Sequence, residues 1–327
     1  MAFTGTEATF SASEARDEAA RLVLRLREAV HAMRRKGVVL GISGGIDSSV
    51  VAALCARAFG AGNVLGLTMH EAESSDDTRR LARLVIDHLG IATIDEPLSP
   101  LLAAAGCYER RDAAIRKVVP GYGPGWRCKL VLPSVIDTEQ LRISSVIARS
   151  PEGEEIRARL PAEAYLQVVA ATSFKQRTRK MLEYYHADRL NYAVAGTPNR
   201  LEYELGFFVK NGDGAADIKP IAHLYKTQVY QLAELLEIPA EIRARPPTTD
   251  TYSLPQSQEE FYFALPYAWM DACLWACDHA VPAAEVAAGL GLTPDQVERV
   301  YRDITAKRMV ARYLNAPPIL LQGANSP

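Results

Sequence analysis

The 327-residue chain reads as an α/β fold: a doubly wound parallel sheet with flanking helices, an inserted irregular or hairpin segment, and a helical C-terminal part. Three observations predict it. Short apolar runs next to glycines, at residues 37–42 and 63–69, have the continuous hydrophobicity of strands buried on both faces. Between such runs lie stretches whose apolar residues recur three and four apart, the period of a helix packed along one side. Their alternation matches βαβ crossovers, which join parallel strands and place helices over the sheet.

Each element has its own warrant. Residues 11–35 form an amphipathic helix, with Ala15, Ala19, Leu22, Leu26, Val30 and Met33 on one side. Residues 37–42 are the first strand, and the alanine-rich run 50–59 is a packed helix. Strand 63–69, helix 76–89 and strand 91–94 complete a second unit. Residues 101–172 are less regular and read as an insertion. In it, 121–125 (Gly-Tyr-Gly-Pro-Gly) must be loop, and 141–148 with 154–160 form a hairpin around Pro151-Glu152-Gly153. Helical periodicity resumes over 173–187, 190–195 is a buried strand, and 227–236 is a helix. Residues 199–219, rich in Gly, Asp and aromatics, read as a functional loop, and 246–258 as a Pro/Thr/Ser-rich loop. Helices fill most of the remainder. The expected division is a catalytic unit over 1–260 and a helical extension of the same domain over 261–327.

Composition narrows the function. A formal net charge of −2 gives no global attraction to nucleic acid or anionic membranes. No run approaches the roughly 20 apolar residues that span a bilayer, and the N-terminus lacks the apolar core of a secretory signal. The five cysteines form no CxxC pair and no zinc-like spacing with histidine. Cys273 and Cys277, four apart, share a helix face as small packing residues. Cytoplasmic location is the expectation, with neither nucleic acid nor membrane as partner.

The strongest local feature is Ser43-Gly44-Gly45-Ile46-Asp47-Ser48-Ser49 between a strand and a helix. Glycines let backbone N–H groups turn toward an anion, and the helix that follows contributes a partial positive charge at its N-terminus. A Walker A loop would carry GxxxxGK[ST], and a dinucleotide fingerprint GxGxxG; neither is present. The loop therefore suits phosphates without a built-in cation and leaves Asp47 free to hold Mg²⁺. Taken by residue type alone, it also suits a tight turn with Asp47 near the helix start.

The seven-residue string resembles the signature of the ATP pyrophosphatase (PP-loop) family, whose fold is of the adenine nucleotide alpha hydrolase type. Its members activate a carboxylate or carbonyl as an adenylate and let a nitrogen or sulfur nucleophile displace AMP. Further on, Gly196-Thr197, Glu202 and the run 206–218 (Gly-Phe-Phe-Val-Lys-Asn-Gly-Asp-Gly-Ala-Ala-Asp-Ile) are similar to the ammonia-dependent NAD synthetase family. So are Lys175-Gln176-Arg177-Thr178-Arg179, Lys226-Thr227-Gln228 and Pro247-Thr248-Thr249-Asp250. The resemblance implies ATP contacts from Gly41, Ile42, Ser43, Gly44, Gly45, Ile46, Asp47, Ser48, Thr197, Lys226 and Thr248, with Mg²⁺ on Asp47 and Glu202. It implies acceptor contacts from Arg177, Lys210, Asp217 and Lys307, and catalytic roles for Asp47, Lys226 and Asp213, the last beside the incoming ammonia.

The implied reaction adenylates the nicotinate carboxylate of deamido-NAD and amidates it with ammonia, giving NAD, AMP and pyrophosphate. The implied assembly is a homodimer. No Cys-nucleophile glutaminase segment is visible, so ammonia is expected free or from a separate glutaminase. The sequence departs from the family at Pro198-Asn199-Arg200, where Asp-His is usual, at Ser173 in place of Asn, and at Ala306 in place of His. With the 101–172 insertion, these leave open a different carboxylate acceptor under the same chemistry. A tRNA-modifying PP-loop enzyme is the other alternative, but the basic patches and paired cysteines it would want are lacking.

Overall fold

The computed structural model describes residues 3–131, 144–248, 251–258, 262–263 and 265–321. Helix α1 (Ala12–Ala32) starts at a reciprocal capping box between Ser11 and Glu14, and the five apolar positions from Ala15 to Val30 that sequence periodicity singled out are buried. Strand β1 (Val38–Gly41), helix α2 (Ile46–Phe59), strand β2 (Val64–Thr68), helix α3 (Asp76–Leu89) and strand β3 (Ala92–Asp95) follow in the expected order. Helices α4 (Ser99–Ala104) and α5 (Cys107–Arg116) come next. The main sheet is completed much later by β7 (Ala193–Val194), giving the parallel order β3-β2-β1-β7. The chain winds from β1 outward through β2 to β3, then returns to pair on the other side of β1. Between β1 and β7 their loops therefore diverge, and a crevice opens at their carboxyl ends, the place where open α/β sheets bind ligands.

The insertion is more ordered than its sequence suggests. Strands β4 (Arg127–Val131), β5 (Ser145–Arg149) and β6 (Glu155–Arg159) form a separate antiparallel sheet in that order. The expected hairpin is β5–β6, closed where Ser150 N donates to Glu154 O at 2.8 Å; residues 141–143 of its first expected strand lie outside the described residues. Helix α6 (Ala162–Leu190) begins well before residue 173, because 162–172 already packs Ala164, Val168 and Ala171 inward. Residues 199–219 are likewise not all loop. Helix α7 (Arg200–Leu205) starts in a capping box between Asn199 and Glu202. Helices α8 (Lys226–Leu235) and α9 (Ala240–Ala244) lead to the helical C-terminal part: α10 (Tyr267–Asp278), α11 (Ala283–Leu290) and α12 (Pro294–Asn315). This part builds its own apolar core from Met270, Leu274, Val286, Val297 and Ile304 together with Leu201 and Leu205 of α7.

Loop 251–258 docks along the open edge of β4. Ser253 Oγ accepts from Cys128 N at 2.8 Å, Leu254 N donates to Cys128 O at 3.0 Å, and Gln256 Nε2 donates to Leu130 O at 2.5 Å. The inserted sheet is thus tied to the segment that follows Thr248. Cys55, Cys107, Cys128 and Cys273 are buried free thiols, and Cys277 is half-buried. Among the described residues no helix is long and apolar enough to cross a membrane.

Candidate active site

A cavity of about 500 Å³ opens at the crevice between β1 and β7. Its floor is the loop after β1. Gly44 has φ +71°, and a Cβ there would lie 2.7 Å from the backbone nitrogen of Ala82 in α3, so only glycine lets the loop pass beneath that helix. The serines fix the turn. Ser43 Oγ lies 3.1 Å from Ser48 Oγ, and the hydroxyls of Ser48 and Ser49 donate to Gly45 O at 3.0 and 2.7 Å. Gly45, the N-cap of α2, offers no side chain to the first-turn amides, which leaves that helix terminus free for an anion.

Behind the loop stands a network of charges. Asp47 Oδ1 accepts from Asn199 Nδ2 at 3.1 Å, and Asp47 Oδ2 accepts from the ammonium of Lys226. Asn199 is fully buried, and its backbone N–H donates to Glu202 Oε2 at 3.1 Å. One capping residue therefore aligns both Asp47 and Glu202. Burial, then the neighbouring charge of Asp47, pushes the Glu202 carboxyl up to about 8, while Lys226 pulls the other way. Burial works against the Lys226 ammonium, yet Asp47 and Glu202 together raise its pKa. The backbone N–H groups of Lys226 and Thr227 donate to Asp271 at 3.1 and 2.7 Å, so a carboxylate from α10 caps α8 and fixes the lysine's starting point.

The described structure brings most of the sequence-identified residues together. Gly41, Ile42, Ser43, Gly45, Ile46, Asp47, Ser48, Thr197, Glu202, Asp213 and Thr248 all line the cavity. Gly44 supports the turn from beneath α3, and Lys226, fully buried, reaches the site through Asp47. Asp213 accepts from Val209 N at 2.7 Å, and burial raises its pKa.

Arg177, Lys210, Asp217 and Lys307 do not reach the cavity within this chain. Arg177 is exposed and donates to Lys210 O at 3.2 Å, and Lys210 Nζ donates to Tyr313 O at 2.9 Å near the end of α12. Asp217 accepts from Val194 N at 2.8 Å. Lys307 pairs with Asp303 at 2.7 Å and donates to Tyr262 O at 2.7 Å, held inside the C-terminal helices. Their neighbours Gln176 and Arg179 face the cavity instead, since α6 turns successive side chains by about 100°.

Sequence reasoning missed Asn199, Asp271, Lys180 and Glu183. Asn199 carried a readable signal, Asn-x-x-Glu ahead of an apolar residue, whereas the others appear only once distant elements are packed.

A glycine-serine loop beneath an open helix terminus, at the switch point of a doubly wound sheet and faced by two carboxylates and a buried lysine, defines a nucleotide-binding α/β enzyme of the pyrophosphate-cleaving kind. The family model described as NAD synthase matches residues 18–119 and 131–312, and the chain belongs to that family. It is 59% identical over 310 residues to a protein of Mesorhizobium japonicum named NH(3)-dependent NAD(+) synthetase, covering 94% of this chain and 97% of the relative. Two solved structures share the fold. The NMN synthetase from Francisella tularensis superposes with TM-score 0.64 at 21% identity, covering 95% of this chain and 98% of that one. The NH3-dependent NAD synthetase from Campylobacter jejuni, in complex with nitrate, does so with TM-score 0.60 at 22% identity, covering 94% and 99%.

Proposed function

We propose that this enzyme adenylates the nicotinate carboxylate of deamido-NAD with ATP and amidates it with ammonia, yielding NAD, AMP and pyrophosphate. The observation that carries this reading is a single cavity that joins the phosphate-type loop, the Asp47–Glu202 pair and Asp213. Nucleotide phosphates and a nitrogen nucleophile can meet in it. The near full-length likeness to the Mesorhizobium protein supports the same reaction.

In this reading the first-turn amides of α2 and the serines of the loop hold the ATP phosphates, with Thr197 and Thr248 along the nucleotide. Lys226 stands behind Asp47 as a pre-placed cation, which favours charge gathering on the leaving pyrophosphate. Asp47 and Glu202 suit Mg²⁺: two aligned carboxylates are an all-oxygen donor set that phosphate oxygens would complete. When bound, the ion would neutralise phosphate charge. Asp213, with its raised pKa, is a reasonable neighbour for an ammonium ion that must lose a proton.

Arg177, Lys210, Asp217 and Lys307 would serve an acceptor site shared by two copies of the chain. A homodimer is supported by exposed apolar residues in that region, Met309, Val310 and Tyr313 on α12 and Met181 and Tyr185 on α6. Water-soluble nucleotide substrates suit an enzyme of the cytoplasm.

The test is pyrophosphate release with ATP, Mg²⁺ and ammonium, comparing deamido-NAD with the corresponding mononucleotide acid and other carboxylic acids. Deamido-NAD should give the highest turnover. Full ammonium-dependent AMP formation with another acid and none with deamido-NAD would overturn the reading.

A further inference from the structure

One pair of charges in the cavity has no part in the roles assigned so far. Lys180 and Glu183, one turn apart on α6, are both buried and both line the cavity, with Lys180 Nζ donating to Glu183 Oε2 at 2.6 Å. Glu183 Oε1 accepts no hydrogen bond from any described residue. That oxygen lies 3.3 Å from where a Cβ on Gly41 would stand, beside the last residue of β1 ahead of the phosphate loop. Gly41 leaves room for it. A Glu residue only 6% exposed, with one oxygen tied and the other facing the cavity, presents a free acceptor to whatever occupies that cavity. The charges around it are Lys180, Asp213 and Arg179.

We infer that Glu183 is a seat for the ammonium ion and the acceptor of its first proton, with Lys180 as the residue that positions it. The inference rests on the acyl-adenylate reading above. Ammonium is a small cation that an anionic acceptor on the cavity wall would seat, and Glu183 Oε1 offers one on the β1 side of the same cavity as Asp213. Burial raises the Glu183 pKa, which suits the carboxylate to take a proton, and Lys180 opposes part of that rise; the lysine's own charge disfavours a second cation, so the bound nitrogen is pushed toward the neutral form. Ammonium gives one proton to Glu183 Oε1, and the lone pair this frees attacks the acyl carbon of the adenylate. The bond from that carbon to the AMP oxygen breaks with its electron pair leaving on AMP. The new amide nitrogen sheds its second proton to water, and Glu183 later returns its own to solvent.

The test compares two nucleophiles in Glu183→Gln. Hydroxylamine is uncharged at neutral pH and needs no deprotonation before attack, so it bypasses the proposed step. Ammonium kcat/KM should fall about 100-fold, at least tenfold more than hydroxylamine-dependent turnover does. A ratio unchanged from wild type, whether both activities persist or both are lost together, overturns the proposal. Because the variant leaves Lys180 buried without its partner, Lys180→Met with Glu183→Leu is run beside it, an apolar pair that keeps the packing. It should show the same ammonium-selective loss with native-like thermal unfolding, and an unchanged ratio there also counts against the seat. ATP–pyrophosphate exchange by wild type with deamido-NAD and no ammonium separates the two readings. Its absence would remove the acyl-adenylate reading, and this inference with it, by a result independent of Glu183.

Discussion

Lys226 and Asn199 each hold one oxygen of Asp47: the lysine ammonium donates to Oδ2, and the asparagine amide donates to Oδ1 at 3.1 Å. Asp47 is thus oriented before any nucleotide arrives, and the two residues that orient it come from α8 and from the cap of α7. An aspartate so placed has little freedom to lose on meeting phosphate-bound charge, which is what electrostatic preorganisation requires.

Asp47→Asn should reduce pyrophosphate release by about 100-fold or more, measured at saturating ATP and Mg²⁺. It also strips the buried Lys226 of its ion-pair partner, a change that costs about 3–5 kcal/mol. Lys226→Met in the same assay should also lose activity, because it leaves Asp47 and Glu202 facing each other without the cation that offsets both. Equal turnover in Asp47→Asn and wild type would remove Asp47 from the chemistry.

Gly44→Ala should damage both fold and nucleotide binding. The left-handed backbone costs an alanine about 1–2 kcal/mol, and its Cβ would meet Leu81 Cβ at 2.8 Å and the Ala82 backbone at 2.7 Å. Either α3 or the loop must shift, and a shift of the loop moves the first turn of α2 with it. The expected result is a large rise in the KM for ATP with a lowered unfolding midpoint; an unaltered KM would show that the turn is not needed for the phosphates.

Asp271 gives a pH signature. Burial raises its carboxyl from the ordinary 3.8 to about 6, against backbone N–H groups that favour the ionised form. An acid with a raised folded-state pKa holds its extra proton in the folded state, so its contribution to stability grows as pH falls from about 6 toward 4 and is absent above. In Asp271→Asn this dependence disappears. Urea unfolding at several pH values from 4.5 to 7.5 (chosen to bracket that window) should show wild type gaining on the variant by up to roughly 2–3 kcal/mol on acidification. A constant gap would contradict the assignment.

Lys175 is the fourth test. Its ammonium, 1% exposed, donates to Glu71 at 2.8 Å, to Glu73 at 2.5 Å and to Thr251 O at 2.9 Å, joining the segment after β2 to α6 and to the loop beyond Thr248. Lys175→Met leaves Glu71 buried with no cation among the described residues, so a loss of about 3–5 kcal/mol is expected in chemical denaturation. The KM for ATP should rise with it, since the loop loses an anchor three residues past Thr248.

Much of the fold was legible because the main sheet follows the strongest rules. The apolar runs before Ser43 and Thr68 could only be buried parallel strands, and α3 begins and ends at the residues its periodicity indicates. What escaped was context-dependent. Strand β4 buries Cys128, Leu130 and Val131 but shows Arg127 and Lys129 outward, a pattern too short to stand out before it is paired with β5. The site divided in the same way. The phosphate loop is contiguous and so readable, and Glu202 and Asp213 were placed through resemblance. Lys180 and Glu183, by contrast, look like an ordinary solvated i,i+3 pair until α6 is packed against β1. Arg177 and Lys210 carry the residue types that the resemblance asks for, and helical rotation and the end of α12 place them away from the cavity of their own chain.

The hydrogen bonds from β4 to Ser253, Leu254 and Gln256 make the small sheet and the segment beyond Thr248 one mechanical piece. An appendage elsewhere in an α/β enzyme can be shortened without touching chemistry; here its removal would strip the backing from a wall of the cavity, which Thr248, Thr251 and Tyr252 line. If that wall meets ATP as proposed, variation far out on β5 or β6 should register as altered ATP handling before it registers as altered folding.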